Sequence, residues 1–179
     1  MHVILYGPRH IGKSTIVKNV IRQLNLQRTI RLGGFVTYAG QGKDLNIYMS
    51  PAEGVRKYDV DNCVAKRTSD YAYPFPKIFD TLGVSILEKC KPISDLICMD
   101  ELGFLEGEAF VFQNAVLRCL DETVPVLGVV KDEPVPWLEL IKKHPQAELI
   151  AISPKNRDYI VPHILNILEA SINKRYSML

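Results

Sequence analysis

Residues 7 to 14 read Gly-Pro-Arg-His-Ile-Gly-Lys-Ser, which is a complete G-x-x-x-x-G-K-S sequence. An apolar run at residues 2–6 precedes it and predicts a strand. Behind it, apolar residues recur at helical spacing: Ile16, Val17, Val20, Ile21 and Leu24. A strand, a glycine-containing loop and a helix in this order bind phosphate, because backbone N–H groups at the start of the helix point at the ligand. The sequence therefore predicts a nucleotide-binding P-loop.

Each position of the loop has a chemical reason. The glycines let the backbone curl around a triphosphate such as ATP or GTP, Lys13 can reach the β- and γ-phosphates, and the Ser14 hydroxyl can hold Mg²⁺. Mg²⁺ is thus the expected cofactor. We expect the whole segment to contact the nucleotide, namely Gly7, Pro8, Arg9, His10, Ile11, Gly12, Lys13, Ser14 and Thr15.

Bulk composition narrows the class of protein. A chain of 179 residues with 47% hydrophobic content is large enough for one buried core, so we expect one domain over residues 1–179. The net charge of +2 gives no basic excess that would indicate nucleic acid or an anionic membrane as partner. No signal peptide and no apolar run of about 18 residues is present, which predicts a soluble cytoplasmic protein. The four cysteines are far apart and are expected to be reduced packing residues.

The hydrophobic pattern predicts an α/β fold. Near-continuous apolar strands at residues 95–99, 124–130 and 148–152 alternate with helical stripes at about 78–87, 107–121, 136–143 and 159–168. Such strands indicate a mostly parallel sheet with helices on both faces. Runs at 34–39 and 45–49 predict an added antiparallel hairpin. Residues 50–76 have weak periodicity, and no structure is predicted there.

The strand at residues 95–99 leads into Asp100 and Glu101. Carboxylates at the carboxyl end of a core strand lie where ligands bind in open α/β sheets. Hydrolysis of a P-loop nucleotide needs acidic groups there, one to help hold magnesium and one to orient the attacking water. We therefore predict Asp100 as the metal partner beside Ser14, and Glu101 as the general base.

In these residues the chain resembles the small P-loop nucleoside triphosphatases first described from thermophiles and known in vertebrates as cancer-related nucleoside triphosphatases. Five blocks appear in the family's order: the P-loop, residues 34–37, residues 100–106, residues 126–128, and Asn-Arg-Asp at 156–158. The resemblance implies a RecA-like fold and hydrolysis of ATP, GTP and other nucleoside triphosphates with little base preference. It supports Lys13, Ser14, Asp100 and Glu101 as site residues.

The chain departs from the family pattern at two places. Phe104 stands where the family usually has lysine, and residues 38–40 replace acidic and arginine residues. Lost positive charge near the transferred phosphoryl group would slow hydrolysis. The remaining basic candidates are Arg9, Arg56, Lys131, Lys155 and Arg157, of which we predict Arg157 to be catalytic.

Two alternatives to a broad-specificity triphosphatase stay open. The same loop serves small-molecule and nucleotide kinases, in which residues 40–80 would form the acceptor site, although that segment has no arginine-rich clamp. A nucleotide-binding accessory or switch protein with little turnover would also have a P-loop. The Phe104 departure favours this last alternative.

Overall fold

The structure is a computed structural model and describes residues 1–177. Its strands are β1 (His2–Tyr6), β2 (Leu32–Ala39), β3 (Ile47–Pro51), β4 (Cys63–Arg67), β5 (Ala72–Pro74), β6 (Leu96–Leu102), β7 (Val126–Val130) and β8 (Ala147–Ala151). Its helices are α1 (Lys13–Gln27), α2 (Pro76–Ile78), α3 (Val84–Cys90), α4 (Phe110–Asp121), α5 (Pro136–Lys142) and α6 (Val161–Tyr176). A π-helical turn at Phe79–Gly83 joins α2 to α3, and short 3-10 turns span Val60–Asn62 and Phe104–Glu106.

All eight strands form one sheet in the order β5-β4-β3-β2-β6-β7-β1-β8. The five strands from β2 to β8 in this order pair in parallel, and β3, β4 and β5 extend the sheet in antiparallel pairs. Strand β7 separates β1, which leads into the P-loop, from β6, which carries the two carboxylates. The carboxyl ends of these parallel strands therefore meet at one edge of the sheet.

Helices cover both faces of the parallel part. Side chains alternate across the strands, so that Ile4 packs on one side while Val3 and Leu5 pack on the other. Helices α3, α4 and α5 close the first core, and α1 and α6 close the second. The predicted α/β P-loop architecture with helices on both faces is confirmed.

The predicted hairpin is confirmed as well, with Tyr38 opposite Tyr48 in β2 and β3. The sheet continues further than predicted, because β4 and β5 fall in the segment that had no prediction. Only the first three residues of β4 are buried, and β5 has three residues, so neither strand has a readable alternation of apolar and polar positions.

Two apolar residues at the start of α4 lie outside the core. Phe110 and Val111 are 66% and 53% exposed, because the helix turns Phe112, Ala115 and Val116 towards the sheet instead. Tyr159 likewise precedes α6 and is exposed. The four cysteines carry free thiols, three of them buried and Cys90 partly buried. Within residues 1–177, every helix is too short or too polar to cross a membrane.

Gly34 provides a test of how closely β2 and β6 pack. Its φ is +88°, and a Cβ there would collide with the Cys98 carbonyl of β6. Gly34→Ala should therefore lower the free energy of unfolding by roughly 3 kcal/mol or more, since both strain and overlap act. Chemical denaturation measures the change.

The control is Gly42→Ala. Gly42 also has positive φ, +61°, but nothing lies within 4 Å of the added methyl group. It should cost only about 1 kcal/mol, from backbone strain alone. Equal losses in the two variants would show that β2 does not approach β6 as closely as described.

Candidate functional site

The P-loop lies between β1 and α1 at the carboxyl edge of the sheet. Gly7 has a φ of +142°, and a Cβ there would lie 2.5 Å from the carbonyl oxygen of Ile152, the residue after β8, so the loop can pass this close only with glycine. Gly12 caps α1 in the left-handed conformation, and His10 has a φ of 61° and an exposed side chain. Arg9, His10 and residues 12–15 line an open cleft, whereas Ile11 packs against the core.

Lys13 is buried and folds over the loop. Its ammonium donates hydrogen bonds to the Gly7 and Pro8 carbonyl oxygens at 2.8 and 2.9 Å and lies 3.9 Å from Glu101 Oε1. Burial lowers the pKa of Lys13, and the carboxylates of Glu101 and Asp100 act against that shift. The Lys13 ammonium is therefore held at the loop by carbonyl oxygens, and its nearest carboxylate oxygen is 3.9 Å away. Phosphate oxygens in the cleft would compete with these carbonyl oxygens for the ammonium.

Ser14 lines the cleft and contacts the buried Asp100. Ser14 Oγ donates a hydrogen bond to Asp100 Oδ1 at 3.2 Å, which joins the start of α1 to β6 across β7. Asp100 is 8% exposed, and burial raises its pKa although Ser14 and nearby lysines oppose the shift. A carboxylate and a hydroxyl oxygen are ligands that suit Mg²⁺, which usually takes one or two carboxylates and completes its shell with phosphates and water. The residues present therefore fit a magnesium ion.

Glu101 lies beside this pair and reaches the cleft. Its backbone N–H donates to Thr37 Oγ1 at 3.2 Å, and the Thr37 hydroxyl donates to the Asp100 carbonyl oxygen at 3.4 Å. The peptide bond between Asp100 and Glu101 is cis. Thr37 thus holds the backbone that carries both carboxylates, a positioning role that the sequence prediction missed although Thr37 lies in a matched block.

The cleft has a volume of about 730 Å³ and two walls. The P-loop forms one wall, and the turn between β4 and β5 forms the other, with Phe104, Leu105 and Lys131 between them. A smaller cavity of about 190 Å³ adjoins it on the β2 side of Glu101. The β4–β5 turn and its flanking residues belong to no recognised sequence motif, and they line the cleft with Arg67, Thr68, Ser69, Asp70, Tyr71 and Ala72.

The basic candidates are distributed unevenly. Arg9 and Lys131 line the main cleft, and Arg9 also forms a 2.8 Å ion pair with Glu133. Arg157 lies in the turn after β8, outside the lining of both cavities, with its Nε 3.5 Å from Asp158. Arg56 lies over the Tyr38 ring. The catalytic role of Arg157 stays a prediction. The basic side chains that line the main cleft outside Lys13 are those of Arg9, Arg67 and Lys131.

The segment after β6 is held rigidly by buried polar contacts. Glu106 Oε2 accepts a hydrogen bond from the Gly103 N–H at 2.8 Å, and Trp137 Nε1 donates to the Gly103 carbonyl oxygen at 3.1 Å. Gln113 Nε2 donates to the Glu106 carbonyl oxygen at 2.6 Å. Desolvation is the largest cause that raises the pKa of Glu106 to about 7, from an ordinary value of 4.5.

Known proteins are similar to this chain over most of its length. A family model described as NTPase matches residues 2–165. The chain is 27% identical over 175 residues to a nucleoside-triphosphatase of Thermotoga sp. (strain RQ2), covering 94% of this chain and 96% of the relative. It is 25% identical over 187 residues to the cancer-related nucleoside-triphosphatase homolog of Mus musculus, covering 95% and 97%. The crystal structure of THEP1 from the hyperthermophile Aquifex aeolicus matches with a TM-score of 0.76 at 26% identity, covering 94% and 99%.

Glu106 predicts a pH dependence of stability. Because its pKa is raised to about 7 in the folded protein, the fold binds more protons than the unfolded chain between about pH 4.5 and 7. The carboxyl's contribution is therefore present below about pH 4.5 and is lost as the pH rises through 7. Relative to Glu106→Gln, the free energy of unfolding should fall by about 3 kcal/mol across this window.

Urea denaturation at several pH values between 4.5 and 8 gives this difference. Glu108→Gln, at an exposed glutamate two residues away, is the control and should keep the wild-type slope. An identical slope in wild type and Glu106→Gln would contradict the assignment of the titration to Glu106.

Proposed function

The chain belongs to the NTPase family matched over residues 2–165, and we propose from that membership that it hydrolyses nucleoside triphosphates to diphosphates and orthophosphate. We propose further that the reaction requires Mg²⁺ and accepts ATP, GTP and other bases. The observation that carries the proposal is that Lys13, Ser14 and Glu101 line one cleft and that Ser14 is hydrogen-bonded to Asp100.

Lys13 supplies the charge that holds the phosphates. Its ammonium already donates hydrogen bonds to two oxygen acceptors, the Gly7 and Pro8 carbonyls. Phosphate oxygens carry full negative charge and bind an ammonium more strongly than carbonyl oxygens do. The Lys13 ammonium would therefore bind the β- and γ-phosphates of a nucleotide in the cleft.

Glu101 is placed to orient water. Its side chain is 29% exposed and lines both cavities, while its backbone is fixed through Thr37. A carboxylate that is fixed in place and open to the cleft can accept a proton from the water that attacks the γ-phosphorus. Asp100 is more deeply buried and is engaged by Ser14, so the two carboxylates have separate roles.

Magnesium would be held by Ser14 and Asp100. When bound, it neutralises charge on the phosphate oxygens as the anhydride bond breaks. The direct contact between these two oxygen ligands supports a shared ion, since a hydroxyl and a carboxylate that already lie together need little rearrangement. Broad base specificity is supported by the family resemblance.

A panel of nucleotides tests the activity. ATP, GTP, CTP and UTP with Mg²⁺ and no acceptor should each release orthophosphate at comparable rates. Glu101→Gln should lower turnover by about 10²- to 10⁴-fold and keep nucleotide affinity, since it removes the base and leaves the phosphate contacts. Glu53→Gln, at an exposed glutamate, is the matched control. Nucleotide binding without release in the wild type would instead indicate a kinase or an accessory protein.

Metal dependence is tested separately. Chelation of divalent cations should abolish phosphate release, and added Mg²⁺ should restore it. Ser14→Ala should raise the Mg²⁺ concentration needed for half-maximal rate by about tenfold or more, because one oxygen ligand is lost. Ser171→Ala in α6 serves as the control. Full activity with chelator, or an unchanged Mg²⁺ requirement in Ser14→Ala, would contradict the assigned metal site.

A further inference from the structure

Two cations reach the cleft from outside the P-loop. Arg67 is the last residue of β4, and Lys131 directly follows β7. Each lines both the main cleft and the smaller cavity next to it, so both lie where the two spaces join around Glu101. Across residues 1–177, neither side chain forms an ion pair. Their charges are therefore open to an anion in the cleft.

Lys131 is held in place by the segment after β6. Its backbone N–H donates to the Leu102 carbonyl oxygen at 2.8 Å. Its aliphatic part covers Gly103, where an added Cβ would lie 2.7 Å from Lys131 Cδ. The ammonium lies 5.2 Å from the centre of the Phe104 ring, within the range of a cation-π interaction. Phe104 thus orients a lysine that begins on the neighbouring strand.

Arg67 is presented by the turn between β4 and β5. The Thr68 N–H donates to the Tyr71 carbonyl oxygen at 2.8 Å, and the Tyr71 N–H donates to Thr68 Oγ1 at 3.1 Å, which closes the turn. Strand β5 packs beside the Phe104–Glu106 turn. The antiparallel extension of the sheet therefore brings a guanidinium to the side of the cleft opposite the P-loop.

We propose that Arg67 and Lys131 form an oxyanion site that binds the γ-phosphoryl group during transfer and then the released orthophosphate. This inference rests on the proposed function. In the step, the bond from water oxygen to the γ-phosphorus forms while the bridging bond to the β-phosphate breaks, and the bonding electron pair goes to the β-phosphate. The water proton passes to Glu101. Arg67 and Lys131 face the non-bridging oxygens, whose charge needs cations other than Lys13.

The test compares Lys131→Ala and Arg67→Ala with the parent in steady-state hydrolysis of ATP with Mg²⁺. Each variant should lower kcat by about 10²-fold and change KM by less than about threefold, because the lost contact strengthens in the transition state. Each should also weaken inhibition by added orthophosphate. Lys131→Arg should restore most of the rate, and Phe104→Leu should give a smaller loss. Lys143→Ala, at a lysine that is 78% exposed on its side chain, should behave as the parent.

Thermal unfolding of each variant checks that the fold is intact, and an unchanged Tm with a lowered kcat supports the site. Unchanged kcat and unchanged orthophosphate inhibition in both alanine variants, in a parent that hydrolyses ATP, would overturn it. If the parent shows no hydrolysis, the proposed function fails, and calorimetric titration with orthophosphate then decides the oxyanion site alone. Binding that Lys131→Ala and Arg67→Ala weaken supports the site, and binding unaffected by either overturns it.

Discussion

Parallel pairing of β1 and β6 on the two sides of β7 is the constraint on which the candidate site depends. Ile4 in β1 and Met99 in β6 both pair with Gly128 of β7, so the carboxyl ends of β1 and β6 lie side by side across β7. The P-loop after β1 and the carboxylates on β6 consequently meet, although they are far apart in sequence, and the Ser14–Asp100 hydrogen bond spans the central strand. The side chains of these strands are packed into a core on each face of the sheet, which fixes the strand register. The positions of the site residues at the strand ends are fixed with it.

Local patterns explain why much of the fold was predictable. The P-loop motif identifies a strand, a loop and a helix together. Buried parallel strands are apolar runs, which can be recognised without knowing which strands they pair with. The antiparallel extension beyond β3 has no such signal, since β4 has only three buried residues and β5 is three residues long. The exposure of Phe110 has no sequence signal for a related reason: at the first turn of a helix, apolar residues fit the periodic pattern whether they face the sheet or solvent.

The candidate site was predictable to the extent that its residues adjoin a motif. Lys13, Ser14, Asp100 and Glu101 all lie at the ends of recognisable strands or in the P-loop, and the structure brings them together. The second wall of the cleft could not be predicted, because the position of Arg67 depends on strand pairings that bring distant segments together. Candidate cations could be enumerated from the sequence, but their distances from the cleft depend on the complete sheet.

An open sheet of eight strands has exposed edges, and β5 forms one of them. An unpaired edge offers a row of N–H and C=O groups to which another molecule's strand can add, leading to aggregation. Here β5 has only three residues and ends in Pro74, which has no N–H to donate. The chain then turns at once into α2, so the exposed edge is too short to template a further strand. Strand β5, whose first residue Ala72 lines the cleft, thus also limits growth of the sheet between molecules.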